Sequence, residues 1–163
     1  MARDEKVFFD AQNGKLHGEG IIRSEKKMKE LAGVFADEKA YKAFNMEEIV
    51  YEVEMHSPAG NTEGGLNFGI STIYPGKVGE EFFMTKGHFH EVRNRAEYYW
   101  GIVGTGLLLL VDEDGTSITE EVSPGSLHYI AGNTAHRLIN TGESKLVVGA
   151  CWPADAGHDY AAF

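Results

Sequence analysis

The sequence predicts an all-β protein, an antiparallel sandwich or barrel of short strands with a short helical segment near its N-terminus. Three observations carry that expectation. Runs rich in β-branched and aromatic residues recur through most of the chain, turn signals separate them, and no helical crossover of the βαβ kind lies between them. Twenty glycines among 163 residues supply the punctuation that so many tight turns need.

The helical segment is expected over 24–45, where Asp37 is placed as an N-cap and Tyr41 and Phe44 lie three apart on one face. Residues 49–55 then alternate apolar and charged side chains, and 66–74 is rich in strand formers before the Pro75-Gly76 turn. Further strands are expected over 81–90, 96–111, 116–122, 126–130, 135–140 and 145–152. Turns at Asp112-Glu113-Asp114-Gly115, Ser123-Pro124-Gly125 and Thr141-Gly142-Glu143 divide several of them. The loop 57–65, with three glycines, an Asn and a Pro, is expected to be mobile. This length suits one domain, with 1–45 as an arm carrying the helix and 46–163 as the barrel.

Bulk charge narrows the partners. Fifteen basic against 25 acidic residues leave a net charge of −10, which repels phosphodiester backbones and anionic lipid. Neither nucleic acid nor a membrane is expected as a partner. No apolar run approaches the ~20 residues of a membrane span, and Met1-Ala2-Arg3-Asp4-Glu5-Lys6 lacks the apolar stretch of a leader, so a cytoplasmic location is expected. Cys151 is the single cysteine, set in an apolar run, and reads as a buried thiol.

Chemistry concentrates around His88-Phe89-His90. Two residues apart on a strand share a face, whereas on a helix they diverge by ~200°. The flanking Phe82-Phe83-Met84-Thr85 favours a strand, so both imidazoles can converge. Glu97 follows across a polar stretch and heads the next strand, and His136 lies just after the Gly132-Asn133-Thr134 turn. Three imidazoles and a carboxylate suit Fe, Mn, Ni or Zn better than Ca or Mg, and leave positions open on a six-coordinate ion for substrate chemistry. A lone histidine on a strand is more often packed or on the surface, and His17, His56 and His128 are read that way.

The string His88-x-His90, six residues, Glu97, six residues, Gly104 resembles the first cupin motif, which usually has three or four residues in its first gap. Gly132-x-x-x-His136-x-x-x-Asn140, with Gly125 before it, resembles the second motif without its central proline. More narrowly, Tyr74-Pro75-Gly76-Lys77-Val78-Gly79, Glu81-Phe82-Phe83, Thr85-Lys86-Gly87-His88-Phe89-His90, Arg95-Ala96-Glu97 and Pro153-Ala154-Asp155-Ala156-Gly157-His158-Asp159-Tyr160 resemble the cupin-type phosphoglucose isomerases. The likeness runs from about residue 35 to 160.

That resemblance implies a cupin jelly roll, a homodimer, one divalent metal per chain, most often Fe2+ with Mn2+, Ni2+ and Zn2+ as alternatives, and a sugar phosphate as the small-molecule partner. It implies interconversion of glucose 6-phosphate and fructose 6-phosphate, within glycolysis or gluconeogenesis. Carried over residue by residue, it places the metal on His88, His90, Glu97 and His136, the chemistry on Glu97, Tyr99 and His158, and the phosphate near Ser71, Thr85, Gly87, Trp152 and Tyr160. Hydroxyls and a glycine amide are apt phosphate donors. In strand alternation Lys86 points away from the face of Thr85 and Gly87, toward solvent.

Three positions depart from the family. Trp152 stands where a tyrosine is common, Asn133 and Thr134 replace an aromatic pair before the last metal histidine, and the sequence stops at Phe163 where relatives usually run on. Two other classes share the ligand set. A metal-dependent cupin oxidase or dioxygenase has no use for Thr85 and Gly87 as phosphate donors, and a non-catalytic sugar-phosphate-binding cupin would hold its ligand unchanged.

Overall fold

The computed structural model describes residues 6–163; the leader reading concerned residues 1–6, of which 1–5 lie outside the described part. Two antiparallel sheets form the body. The larger contains β3 (Ile21–Lys27), β4 (Ile49–His56), β5 (Leu66–Ile73), β8 (Glu97–Val103), β11 (Leu127–Ile130) and β13 (Leu146–Pro153) in the order β11-β8-β13-β5-β4-β3. The smaller contains β9 (Gly106–Asp112), β10 (Ser117–Val122) and β12 (Thr134–Ile139) in the order β10-β9-β12. Two small hairpins complete the set, β1 (Val7–Asp10) with β2 (Lys15–Gly18) and β6 (Lys77–Val78) with β7 (Glu81–Phe82). Val50, Ile73 and Val148 of the large sheet share one buried cluster with Leu108 and Leu138 of the small one, so the two sheets enclose a common core.

The expected helix over 24–45 survives only in part. Residues Ile21–Lys27 are a strand, with Arg23 opposite Glu54 and Ser24 opposite Val53, because pairing along β4 outweighs the helix propensity of Arg23, Glu25, Lys26 and Lys27. A 3-10 turn follows at Met28–Leu31, and helix α1 is confined to Glu38–Lys42. Its cap is as expected, since Asp37 accepts the Ala40 amide at 2.9 Å. Tyr41 and Phe44 pack against the core, and the Tyr41 hydroxyl donates to the Met28 carbonyl at 2.9 Å. Strand β3 therefore lies inside the expected arm yet belongs to the large sheet.

Two further strand expectations need correction. The 96–111 run is two strands, broken at Gly104, where φ is +77° and a Cβ would run into the Lys145 carbonyl. The 81–90 run is regular only at Glu81–Phe82; beyond it, isolated bridges join Met84 to Ile139, His88 to His136 and Phe89 to Asp159. This irregular segment extends the small sheet past β12. The loop 57–65 is a series of turns closed by amide bonds from Thr62 to Ala59 and Gly65 to Thr62.

Asn140, fully buried at the end of β12, ties the layers together. Its amide donates to the carbonyls of Ile73 and Ser144, both at 2.9 Å, and its oxygen accepts the Gly142 amide at 3.0 Å. Asn140→Ala strands the buried Ile73 carbonyl and removes the bonds to the Ser144 carbonyl and the Gly142 amide, and is expected to cost about 3 kcal/mol of unfolding free energy in urea titration. A loss under about 1 kcal/mol would show that water replaces those bonds.

Candidate metal centre and pocket

Four side chains meet at the core between the sheets. Glu97 opens β8, His136 lies on β12, and His88 and His90 lie on the irregular segment beside it. The i, i+2 pair points inward without a continuous strand, because the bridge to His136 and the bridge to Asp159 hold the backbone extended. One ligand atom from each of the four lies within 4.8 Å of the others. His90, Glu97 and His136 are buried and His88 is half-buried.

Hydrogen bonds set the imidazole tautomers. His90 Nδ1 is 2.7 Å from the Arg95 carbonyl and His136 Nδ1 is 3.3 Å from the Thr134 carbonyl. A carbonyl only accepts, so both protons sit on Nδ1 and both Nε2 lone pairs turn inward. His90 Nε2 lies 3.0 Å and His136 Nε2 2.9 Å from Glu97 Oε2. Two buried nitrogens, Nε2 of His88 and of His136, have no aligned hydrogen-bond partner. Inward lone pairs, orphaned nitrogens and a buried carboxylate together fit a divalent cation with nitrogen and oxygen ligands.

A proton on Nε2 can take the place of a cation against Glu97, and the electrostatics describe that protonated state. Burial, followed by the neighbouring His136, pushes the His88 pKa far down and keeps that ring neutral. Burial alone would raise Glu97, but the imidazoles of His136 and His90 outweigh it and hold the carboxyl ionised. For His90, burial pulls down and Glu97 pulls up, with Glu97 prevailing.

A pocket opens beside these ligands, and the sequence-predicted substrate residues Ser71, Thr85, Gly87, Tyr99, Trp152, His158 and Tyr160 all line it. Thr85 Oγ1 accepts the Leu138 amide at 3.0 Å, which leaves its own proton free to donate. Gly87 has φ of +76°, and a Cβ there would press on Phe163 and the Arg137 guanidinium. Tyr99 is buried with its ring edge-on to His136 at 5.4 Å, and burial, then Glu97, keeps its phenol protonated. His158 stacks on Tyr160 at 5.9 Å and stands 4.3 Å from the His88 ring; loss of water from its inner face lowers its pKa.

Tyr51 is a pocket residue that the motifs did not supply. It is buried, accepts the Lys86 amide at 3.3 Å, and its pKa is pushed up by burial to about 12, so it remains a donor. The alternation of 49–55 was its signal, since Tyr51, Val53 and Met55 face the pocket together. Lys86 lies outside the lining as expected, but it is half-buried instead of solvated, with its ammonium 5.3 Å over the Tyr160 ring.

The departures have local causes. Asn133 sits at φ +62°, a left-handed backbone that asparagine tolerates and an aromatic residue does not. The Trp152 indole fits because Gly69 opposite it has no side chain; a Cβ there would lie 2.8 Å from the ring. His17 is exposed, His56 half-buried, and His128 is buried between Glu120 at 2.6 Å and Ser126 at 2.8 Å. Cys151 is half-buried and not fully buried; desolvation raises its thiol pKa.

Known proteins resemble this chain. Residues 25–163 match the family model of glucose-6-phosphate isomerase. The glucose-6-phosphate isomerase of Thermococcus kodakarensis is 44% identical over 146 residues, spanning 86% of this chain and 77% of the relative. That of Pyrococcus furiosus is 42% identical over 144 residues, spanning 87% and 76%. Among solved structures, Bacillus subtilis oxalate decarboxylase superposes with a TM-score of 0.54 at 18% identity, over 74% of this chain and 29% of that one. At that identity the likeness concerns the cupin fold.

The four-residue set makes a measurable demand. The protein is expected to bind one divalent ion per chain, and His136→Ala to weaken that binding more than about 100-fold, beyond what loss of an outer-shell partner costs. Equilibrium dialysis with elemental analysis reads both; an unchanged stoichiometry and affinity in the variant would sink the assignment.

Proposed function

Because the chain belongs to the cupin-type glucose-6-phosphate isomerases, aldose-ketose isomerases that interconvert glucose 6-phosphate and fructose 6-phosphate, we propose that its pocket does this work with a cation on His88, His90, Glu97 and His136. The observation that carries the reading is the meeting of inward imidazole lone pairs with a pocket that also offers hydroxyl and amide donors. Fe2+ is the ion we favour, ahead of Mn2+, Ni2+ and Zn2+, on ligand softness and family habit.

A divalent cation in this ligand set supplies Lewis acidity that polarises the sugar carbonyl, for several kcal/mol of barrier. The protein groups handle position and protons. Thr85, Gly87, Ser71 and Tyr160 donate to the phosphate, and the Trp152 N–H adds a donor that cannot accept. Glu97 contacts the imidazoles through Oε2, which leaves Oε1 for a proton moving between C1 and C2. Coordination reduces that basicity. Tyr99, held protonated, donates to a sugar oxygen, and neutral His158 at the rim assists ring opening.

We take the active species to be a homodimer in the cytoplasm, acting in glycolysis or gluconeogenesis. Edge strand β11 exposes Leu127 and Tyr129, a surface that pairing with a second copy would cover. Among the described residues no helix is long and apolar enough to cross a membrane. Gel filtration at the 17.9 kDa monomer mass would refute the dimer.

Protein loaded with Fe2+ or Mn2+ is expected to convert fructose 6-phosphate to glucose 6-phosphate, and a chelator to stop it. No turnover with any of the four metals refutes the isomerase reading. Run in deuterated water, the proton-transfer route incorporates deuterium at C2; a product with none would replace it by direct hydride transfer.

A further inference from the structure

We propose that Lys26 is the cation that selects phosphorylated sugars, an assignment that rests on the isomerase reading of the pocket. Alternate residues of β3, Ile22, Ser24 and Lys26, face the pocket. Ser24 pairs with Val53, which pairs with Ser71, so β3 forms the wall beside a proposed phosphate donor. Lys26 pairs with Tyr51, whose hydroxyl holds the Lys86 amide, and this row leads directly to the turn containing Thr85 and Gly87.

Lys26 differs from the other cations near the pocket in facing into it. Lys26 is the one Lys or Arg among the described residues that line the pocket. Lys86 is turned onto the Tyr160 ring, and Arg137 donates to the Lys86 carbonyl at 2.6 Å while stacking on Phe163. A phosphate dianion met only by hydroxyls and an amide is incompletely matched in charge, and the net charge of −10 around it makes the deficit worse.

Lys26 is available because its present partner is weak. Its ammonium is 3.5 Å from Glu30 Oε1, with 39% and 40% of the two side chains exposed. Exposed pairs of this kind contribute little. The other Glu30 oxygen accepts the Lys27 amide at 2.9 Å, and the Lys27 ammonium is taken by Glu47 at 3.0 Å. A flexible four-carbon stem lets Lys26 exchange one carboxylate for a dianion.

Steady-state kinetics of metal-loaded protein test this. K26Q is expected to raise KM for fructose 6-phosphate about tenfold while kcat moves less than about twofold, and K26R to recover most of the loss. The inhibition constant of inorganic phosphate rises by the same factor. An active K26Q protein with both constants unchanged overturns the assignment. Where the loaded protein turns over no sugar phosphate, the isomerase reading fails separately, and calorimetric binding of inorganic phosphate still decides: weaker in K26Q supports the cation site, equal binding refutes it. Should K26Q not fold, E30Q decides, since removing the competing carboxylate tightens phosphate binding if Lys26 swings inward and leaves it unchanged or weaker if it does not.

Discussion

The carboxylate of Glu97, 5% exposed and ringed by imidazoles, is the constraint around which the rest is arranged. An isolated carboxylate at that depth costs several kcal/mol, so the site exists only while its partners are held against it. The backbone does the holding. His88 and His136 exchange amide-carbonyl bonds in both directions, at 3.2 and 3.0 Å, so two of the three imidazoles are locked to each other before any ion arrives. The third is oriented from the loop 91–96, whose Arg95 carbonyl takes the His90 proton.

That same loop explains the most specific block of the resemblance. Arg95 forms two bonds to Asp155, at 3.0 and 2.7 Å, and Arg93 reaches Asp159 at 2.7 Å. The Val92 amide adds a bond to the Ala156 carbonyl. The longer gap between His90 and Glu97 thus supplies the arginines that clamp residues 153–160 and deliver His158 and Tyr160 to the pocket. Loop length and C-terminal motif are one device.

Much of this was legible because side-chain period and ligand chemistry are local properties. That His88, His90, Glu97 and His136 come together was readable from spacing, and Asp37 from its capping position. What failed was decided by tertiary pairing. Glu25, Lys26 and Lys27 carry helix propensity, and only the neighbouring β4 makes them a strand. Gly104 and Gly87 interrupt expected strands because each adopts a positive φ that local pattern does not announce. Tyr51 and Lys26 escaped because neither belongs to a motif; each enters the pocket through alternation on strands whose adjacency the sequence does not state.

The misplacement of β3 has the largest consequence for function. A cation-loaded site attracts any anion, and a phosphate could approach it as readily as a sugar oxygen does. The two ends of the substrate must therefore be told apart at the far wall, where several weak donors act at once. Hydroxyls of Ser71, Thr85 and Tyr51 distinguish a phosphate from water only modestly, since each donor is equally served by a sugar hydroxyl. A charge does not have that ambiguity. With Lys26 on the wall formed by β3, the proposed cation gives the dianion a preferred place at that wall, and the reacting carbons are left at the ligand cluster. In that arrangement orientation comes from electrostatic difference between two walls, and shape has only to admit the chain of carbons between them.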